Sequence, residues 1–382
     1  MSWETFKLSD CCVSITDGDH LPPPKADSGI PFVTISNINT INQFDFTNTM
    51  FVPQDYYDKL DSKRKAQIGD VLYSVVGSFG IPVYIKDNRQ FVFQRHIAIL
   101  RPNEKILPRF LYYTMLSRDF YAKADAVAVG AAQRTVGLSS LRNIKIDVPT
   151  IDEQNKIVNI LSAYDDLIEN NQKQIDLLEE TAQRLYKEWF VDLRFPGYEN
   201  TPIVDGVPEG WTCEAIDNVY SIKYGKNLPT TEISDTGEYP VYGASKKIGY
   251  YSQKNCDNYA VLITSRGNAG VVHRTHNKES FVTNNSFIVL PKIESLHNVF
   301  VFFQMKQLNF KSIVTGACQQ QLTNGLISKK SVVVPTADIL TKFNAETDSL
   351  FELVEILMKQ NECLIETRDR LLPKLMSGEL EV

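Results

Sequence analysis

The chain has 382 residues, 43% of them hydrophobic, which is enough to fill two or three domain cores, yet no apolar run is long enough to span a membrane. Its six cysteines are scattered without C-x-x-C spacing, which speaks for reduced thiols and against a structural zinc site. The net charge of −6 argues against a polyanion binder until it is divided: residues 1–149 carry net +2, 150–200 net −6, 201–335 net +3 and 336–382 net −5. Acid gathers on two segments and a modest positive balance on the other two, compatible with lobes that touch phosphates and helices that touch protein. The opening MSWETFKLSD lacks a signal-peptide pattern, so a cytoplasmic protein is expected.

Residues 1–149 read as a mixed α/β lobe of short strands and turns with one helix. Strand composition bounded by glycine and proline marks 30–35, 70–76 and 91–100. Residues 108–121 predict a helix, 129–138 (VGAAQRTVGL) a polar loop flanked by glycine, and 144–148 a strand.

From 150 to 195 the pattern changes. Apolar positions at spacings of four and three, Ile157, Leu161, Tyr164, Ile168, Asn171, Ile175, Leu178, Ala182, Leu185 and Trp189, form a heptad seam. Thr150 and Glu153 have the form of a capping box after Pro149, and Phe195, Pro196 and Gly197 close the segment. A helix over 153–190 would be on the order of 57 Å long and needs a partner. Residues 196–210 are rich in Pro and Gly, carry no periodicity and read as a linker.

Residues 211–335 replay the first lobe. Gly77 and Gly80 match Gly267 and Gly270 at a shift of 190, the run from Phe281 lies over the run from Phe91 at the same shift, and 315–321 lies over 129–135 at a shift of 186. The glycines and apolar positions repeat while their polar neighbours differ: Ser78 against Asn268, Arg95 and His96 against Asn285 and Ser286, Arg134 and Thr135 against Gln320 and Gln321. A scaffold duplicated with different hydrogen-bonding groups suits two readers of different sequences.

Residues 336–382 repeat the heptads as Phe343, Thr347, Leu350, Val354, Leu357, Asn361, Leu364, Arg368, Leu371 and Leu375, each 186 residues after its counterpart. Asn171 and Asn361 are not repeat-equivalent, so a parallel pairing would set each against an apolar residue. Antiparallel pairing with Asn171 opposite Asn361 stacks Ile157 on Leu375, Ile168 on Leu364, Ile175 on Leu357 and Trp189 on Phe343. It leaves Tyr164 against Arg368 and Leu185 against Thr347 as imperfect layers. The expected architecture is two similar α/β (mixed α+β) lobes joined by an antiparallel coiled coil, pseudo-twofold, with Asn171 and Asn361 fixing the register.

Three stretches carry a family resemblance: PTIDEQNKIV at 149–158, AQRLYKEWFVDLRFPGYE at 182–199 followed by GVPEGW, and RLLPKLMSGEL at 370–380. Through them, and through the order lobe, helix, lobe, helix over essentially the whole chain, it resembles the specificity subunit (HsdS) of a Type I restriction–modification system. The resemblance implies that each lobe is a target recognition domain reading one half of a bipartite site in double-stranded DNA. It implies that the coiled coil sets the spacer and docks two modification subunits (HsdM, adenine methyltransferases), with restriction subunits (HsdR) joining them. No catalytic residue, cofactor, metal or membrane is implied. The second copy reads PTADILTKF, with Ile339 and Leu340 where the first has Glu153 and Gln154, which predicts a less firmly started second helix. The geometry agrees, since a seam from Ile157 to Trp189 would be on the order of 48 Å long and half-sites one turn apart lie roughly 34–36 Å from each other.

Gln133, Arg134 and Thr135, with Gln319, Gln320 and Gln321, are the foremost candidates for DNA contact, because Gln and Arg match adenine and guanine edges. The plain alternative is a solvated loop. Arg95, His96, Asn284 and Asn285 suit either DNA contact or structural hydrogen bonding, and Ser78, Arg266 and Asn268 sit in glycine loops that could be simple turns. Lys223, Lys226, Lys246 and Lys247 could hold phosphates. His273 and His276 lack a third ligand nearby, so no metal is expected. The run Asp17, Gly18, Asp19, His20 reads as a turn, and Asp165, Asp166, Glu179 and Glu180 as solvated helix faces. An enzyme in its own right is disfavoured: the chain has no G-x-G-x-x-G, no P-loop and no Asn/Asp-Pro-Pro-aromatic motif. A protein-binding scaffold would leave the divergent polar loops without purpose.

Overall fold

The computed structural model describes residues 3–39, 41–47, 49–131, 133–244, 246–315 and 321–382. The chain forms two units, Met1–Glu169 with Asn361–Val382, and Asn170–Gln360. Each unit is one lobe with one half of each long helix.

In the first unit a four-stranded antiparallel sheet runs in the order Cys12–Asp17, Ile97–Pro102, Val71–Ser74, Pro82–Tyr84. Its central strand is buried on both faces, and alternation divides it between two cores. Val71 and Tyr73 pack with the helices, whereas Leu72 packs with Val33, Phe91 and Phe93. The latter core is completed by a second sheet, Met50–Val52, Ile30–Val33 and Val92–Phe93, whose last pair is parallel. The strand expected over 91–100 is therefore two strands that belong to different sheets, separated by a turn at 94–96. The helix expected over 108–121 is also two, Pro108–Leu116 and Arg118–Val127. They are divided at Ser117, whose Oγ accepts from the Phe120 N–H at 3.2 Å as an N-cap.

The second unit repeats this topology strand for strand: Tyr220–Tyr224, Ser286–Pro291, Val261–Thr264, Val272–Arg274 in one sheet, and Lys247–Tyr251, Tyr239–Tyr242, Phe281–Val282 in the other. The repeat corrects one alignment. Val92 pairs in parallel with Phe32 as Phe281 does with Val241, and Ser74 faces Ile97 as Thr264 faces Ser286. The shift in this stretch is thus 189, not 190, so Arg95 and His96 correspond to Asn284 and Asn285. A slip of one residue inverts every face, and two apolar-rich runs without strict alternation conceal it.

Residues 196–210 are not a bare linker. They form a turn at Tyr198–Asn200 and a hairpin of Ile203–Val204 with Val207–Pro208, and the flanking Phe195 and Trp211 are buried with ring centroids 4.9 Å apart. Their aromatic rings, invisible to a composition argument, anchor the segment.

The long helices are Ile151–Tyr186, continued by a π-helical turn at Lys187–Val191, and Ala337–Met376. Within each unit their halves run antiparallel in the expected register. In the first unit Ile157 and Leu375 share a core; in the second, Ile175 and Leu357 share one, and Trp189 meets Phe343 at 5.9 Å. The imperfect layers are satisfied locally. Arg368 turns from Tyr164 to donate to Asp165 at 2.7 Å, and Thr347 donates to the Phe343 carbonyl of its own helix at 2.9 Å. Asn171 and Asn361 are both buried; Asn171 donates to Gln360 and Asn361 to the Ile168 carbonyl, each at 3.4 Å.

Only half of the capping box forms: Thr150 accepts from the Glu153 N–H at 3.4 Å, while the Glu153 carboxylate accepts from the Trp3 indole at 3.0 Å. Completely buried Gln154 does the anchoring, accepting from Leu107 N at 2.7 Å and donating to the carbonyls of Lys105 and Pro149 at 3.0 and 2.9 Å. Gln154→Ala is expected to cost about 2–3 kcal/mol, read by denaturant unfolding, because it leaves buried backbone groups unpaired; an unchanged midpoint would show that they find other partners. The second helix starts no less firmly, since Ile339 and Leu340 enter the core in place of Glu153 and Gln154.

Of the acids read as solvated faces, Glu180 is exposed and pairs with Arg184 of its own helix, whereas Asp165, Asp166 and Glu179 are anchors. Asp165 also accepts from the Tyr113 hydroxyl at 2.6 Å, and burial, with Asp165 beside it, pushes that hydroxyl far above its ordinary value. Asp166 takes both arms of Arg109, at 2.9 and 3.2 Å, and Glu179 lies 3.7 Å from buried Arg274. Among the described residues no helix is long and apolar enough to cross a membrane.

Candidate nucleic-acid interface

At one end of each four-stranded sheet the loops between strands converge. In the first lobe the glycine loop after Val71–Ser74 sits between two others. Val75 N donates to His96 O at 2.8 Å, Gly77 N to Arg134 O at 2.9 Å, and Val136 N to Val75 O at 2.8 Å. The 129–135 loop closes on itself through paired bonds between Val129 and Thr135. Gly77 and Gly80 have φ of +71° and +98°, and a side chain at Gly80 would strike the Tyr121 ring, so glycine is required there. A fourth segment, 17–20, lies against the turn, with Asp19 N donating to Phe93 O at 2.8 Å and Arg95 N to Asp19 O at 3.0 Å.

The second lobe builds the same edge. Ser265 N donates to Asn285 O at 2.8 Å and Leu322 N to Ser265 O at 2.9 Å, and Arg266 bridges Gln321. The segment 224–227 takes the place of 17–20, with Lys226 N donating to Val282 O and Asn284 N to Lys226 O, both at 3.0 Å. The hairpin turn after Tyr239–Tyr242 is held by Ser286, whose hydroxyl donates to Gly243 O at 3.0 Å, and by Thr264, which donates to Ala244 O. Five segments distant in sequence thus form one edge rich in exposed polar side chains.

The Type I restriction modification DNA specificity domain model matches residues 1–180 and 208–354. The chain belongs to that family. It is a specificity subunit of a type I restriction–modification system. A putative type I restriction enzyme MjaX specificity subunit of Methanocaldococcus jannaschii is 25% identical, covering 100% of this chain and 94% of the relative. The HindI specificity subunit of Haemophilus influenzae is 23% identical with 99% of each covered. Among solved structures, the Type-I restriction-modification system S subunit from M. genitalium shares the fold with a TM-score of 0.55 at 18% identity, covering 98% of this chain and 96% of that one.

The converging edge of the specificity subunit gathers most of the candidates. Ser78, Arg95, Gln133 and Arg134 are exposed on the first lobe, with His96 and Thr135 half-buried. Arg134 spends donors on the Asp125 carboxylate at 3.0 Å and the Asp125 carbonyl at 2.6 Å. On the second lobe Lys226, Lys246, Arg266, Asn268 and Asn285 are exposed, and Asn284 and Gln321 half-buried. Lys223 is exposed on the edge strand, paired across to Ile288. Lys247 lies over the Tyr250 ring at 5.0 Å and donates to its hydroxyl, so it serves the hairpin. Gln319 and Gln320 lie outside the described residues. His273 and His276 are away from this edge, packed beside Arg274, and among the described residues no group of three or more His, Cys, Asp or Glu could hold a metal ion.

Sequence reasoning read 17–20 as a turn and named only Lys226 within 224–227, so it missed that each segment as a whole joins the edge. The available signal was a glycine directly after a strand in both copies, Gly18 after Cys12–Asp17 and Gly225 after Tyr220–Tyr224. Gly18 and Gly225 each leave no room for a Cβ, because the carbonyls of residues 93 and 94, or of 282 and 283, press against them.

Proposed function

We propose that each lobe reads one half of a bipartite site in double-stranded DNA through its converging loops, entered in the major groove. In this reading the paired helices, with Asn171 and Asn361 holding their register, set the spacer and dock two methyltransferase (HsdM) subunits. The chain itself is non-catalytic, needs no cofactor and works in the cytoplasm, while modification and restriction subunits (HsdR) supply the chemistry. The lobes are taken as 1–149 and 211–335.

One observation carries the reading: among the described residues the two lobes share most backbone bonds of the loop framework while changing the side chains it displays. Arg95 and His96 become Asn284 and Asn285, Val76 becomes Arg266, and Thr135 becomes Gln321. Groups that differ at equal positions are what discrimination between base edges needs.

Single-molecule sequencing of DNA from cells co-expressing the modification subunits tests it. Two short specified halves around an unspecified gap are expected; a single contiguous motif, or no sequence-specific modification, overturns the reading. Within that motif, Gln133→Ala is expected to cost about 1–3 kcal/mol of discrimination at one base pair of one half. Lys226→Ala should instead weaken all sequences alike and lower the salt slope by about 1. Equal effects of both variants on every base would refute these assignments.

A further inference from the structure

Asp19 is 7% exposed at an edge built to face phosphates, where an uncompensated carboxylate is costly. Its carboxylate is held by three groups. The Tyr56 hydroxyl donates to Oδ2, Leu21 N donates to Oδ1 at 3.3 Å, and Arg64 Nη1 lies 3.9 Å from Oδ1. Its backbone meanwhile clamps the turn, through the bonds to Phe93 O and from Arg95 N. Burial, and Asp19 after it, push the Tyr56 hydroxyl up to about 12, so it stays a donor.

Tyr56 and Arg64 come from a segment peculiar to this lobe. Eighteen residues separate Met50–Val52 from Val71–Ser74, against nine between Lys247–Tyr251 and Val261–Thr264. The extra length holds the helix Gln54–Lys59 and the turn Ser62–Arg64, and the second lobe has no counterpart of either among the described residues. This insertion is bound to the sheet as well, since Thr16 donates to Lys63 O at 2.9 Å. Where the first lobe has buried Asp19, the second has exposed Lys226. Beside Asp19 the tip of the loop is open: His20 is exposed and Leu21 is 69% exposed, next to exposed Arg95.

We propose that Asp19 is the positioning residue of the first half-site reader, locking the 17–21 loop, the 53–65 insertion and the Arg95 turn into one rigid edge that presents His20, Leu21 and Arg95 to the groove. Leu21 suits a thymine methyl and Arg95 a guanine edge. Rigidity matters because a reader held loosely loses the difference between right and wrong bases along with the ordering entropy. This inference rests on the bipartite reading above.

The test uses the full chain in complex with its modification subunits, and duplexes carrying the mapped motif, or one changed base in either half. Asp19→Ala and Tyr56→Phe are expected to reduce discrimination at one half about tenfold, leaving the other half and the salt slope as they are. Asp19→Asn, which still accepts from Tyr56, should retain most of it. Loss shared equally by both halves, or a Tyr56→Phe complex with undiminished discrimination, overturns the proposal. If Asp19→Ala does not fold, Tyr56→Phe decides, since it removes a single oxygen. A wild-type complex with no split-site preference overturns the bipartite reading itself, an outcome distinct from failure of the lock alone.

Discussion

Alanine at Gly225 is expected to spoil the second half of the recognised motif and to destabilise the chain by roughly 3–4 kcal/mol, at the upper end of what overpacking costs. The added Cβ would overlap the carbonyl oxygens of Val282 and Thr283, which are backbone and cannot swing away. The same carbonyl of Val282 accepts from Lys226 N, so relieving the overlap breaks the bond that seats the loop. Gly18→Ala should do the same to the first half, through the carbonyls of Phe93 and Gln94. Methylation mapping and denaturant unfolding of both variants check this. A Gly225→Ala protein with unchanged stability and an intact motif would show that the 224–227 segment does not belong to the reading edge.

Acid is the second large lever. His273 and His276 flank Arg274, which is 6% exposed, 3.7 Å from both Glu179 and Glu355, and 4.4 Å from the Phe351 ring. Burial lowers His273 to about 4. Burial, followed by the positive charge of Arg274, lowers His276 to about 3. Both imidazoles are neutral in the folded chain, whereas in the unfolded chain they take protons near pH ~6.5. Their contribution is therefore intact above that pH and is lost progressively as pH falls toward the folded values. At pH ~5 each would have forfeited about 2 kcal/mol, together about 4, taking 1.36 kcal/mol per unit. Unfolding measured at neutral pH and near pH ~5 should show that loss in the wild type and far less of it in the His273→Gln, His276→Gln double variant. Equal pH dependence in the two proteins would mean that the histidines are already solvated.

The specificity subunit wrote its duplication and its seam plainly into the sequence. Heptads place Ile157, Ile175, Leu357 and Leu375 by local periodicity, and the 186-residue repeat of that pattern, with antiparallel pairing read from two misaligned asparagines, carries over to the packing inside each unit. The glycines of the candidate edge were legible too, because Gly77 and Gly267 recur in both copies at positions whose positive φ favours that residue.

What only the tertiary structure decided lies where the partner of a group is far along the chain. Asp165 reads as a solvated acid until Arg368 and Tyr113 are brought to it, and Asp19 as a turn residue until Tyr56 arrives. The alignment of Arg95 with Asn284 rather than Asn285 rests on strand register, and the apolar runs here lack the strict alternation of side chains that would have fixed it from the sequence. Periodicity records what one element needs to bury. Convergence of loops is set by amides and carbonyls that every residue carries alike, so apart from its glycines it leaves little mark in the sequence and appears only when the sheets are assembled.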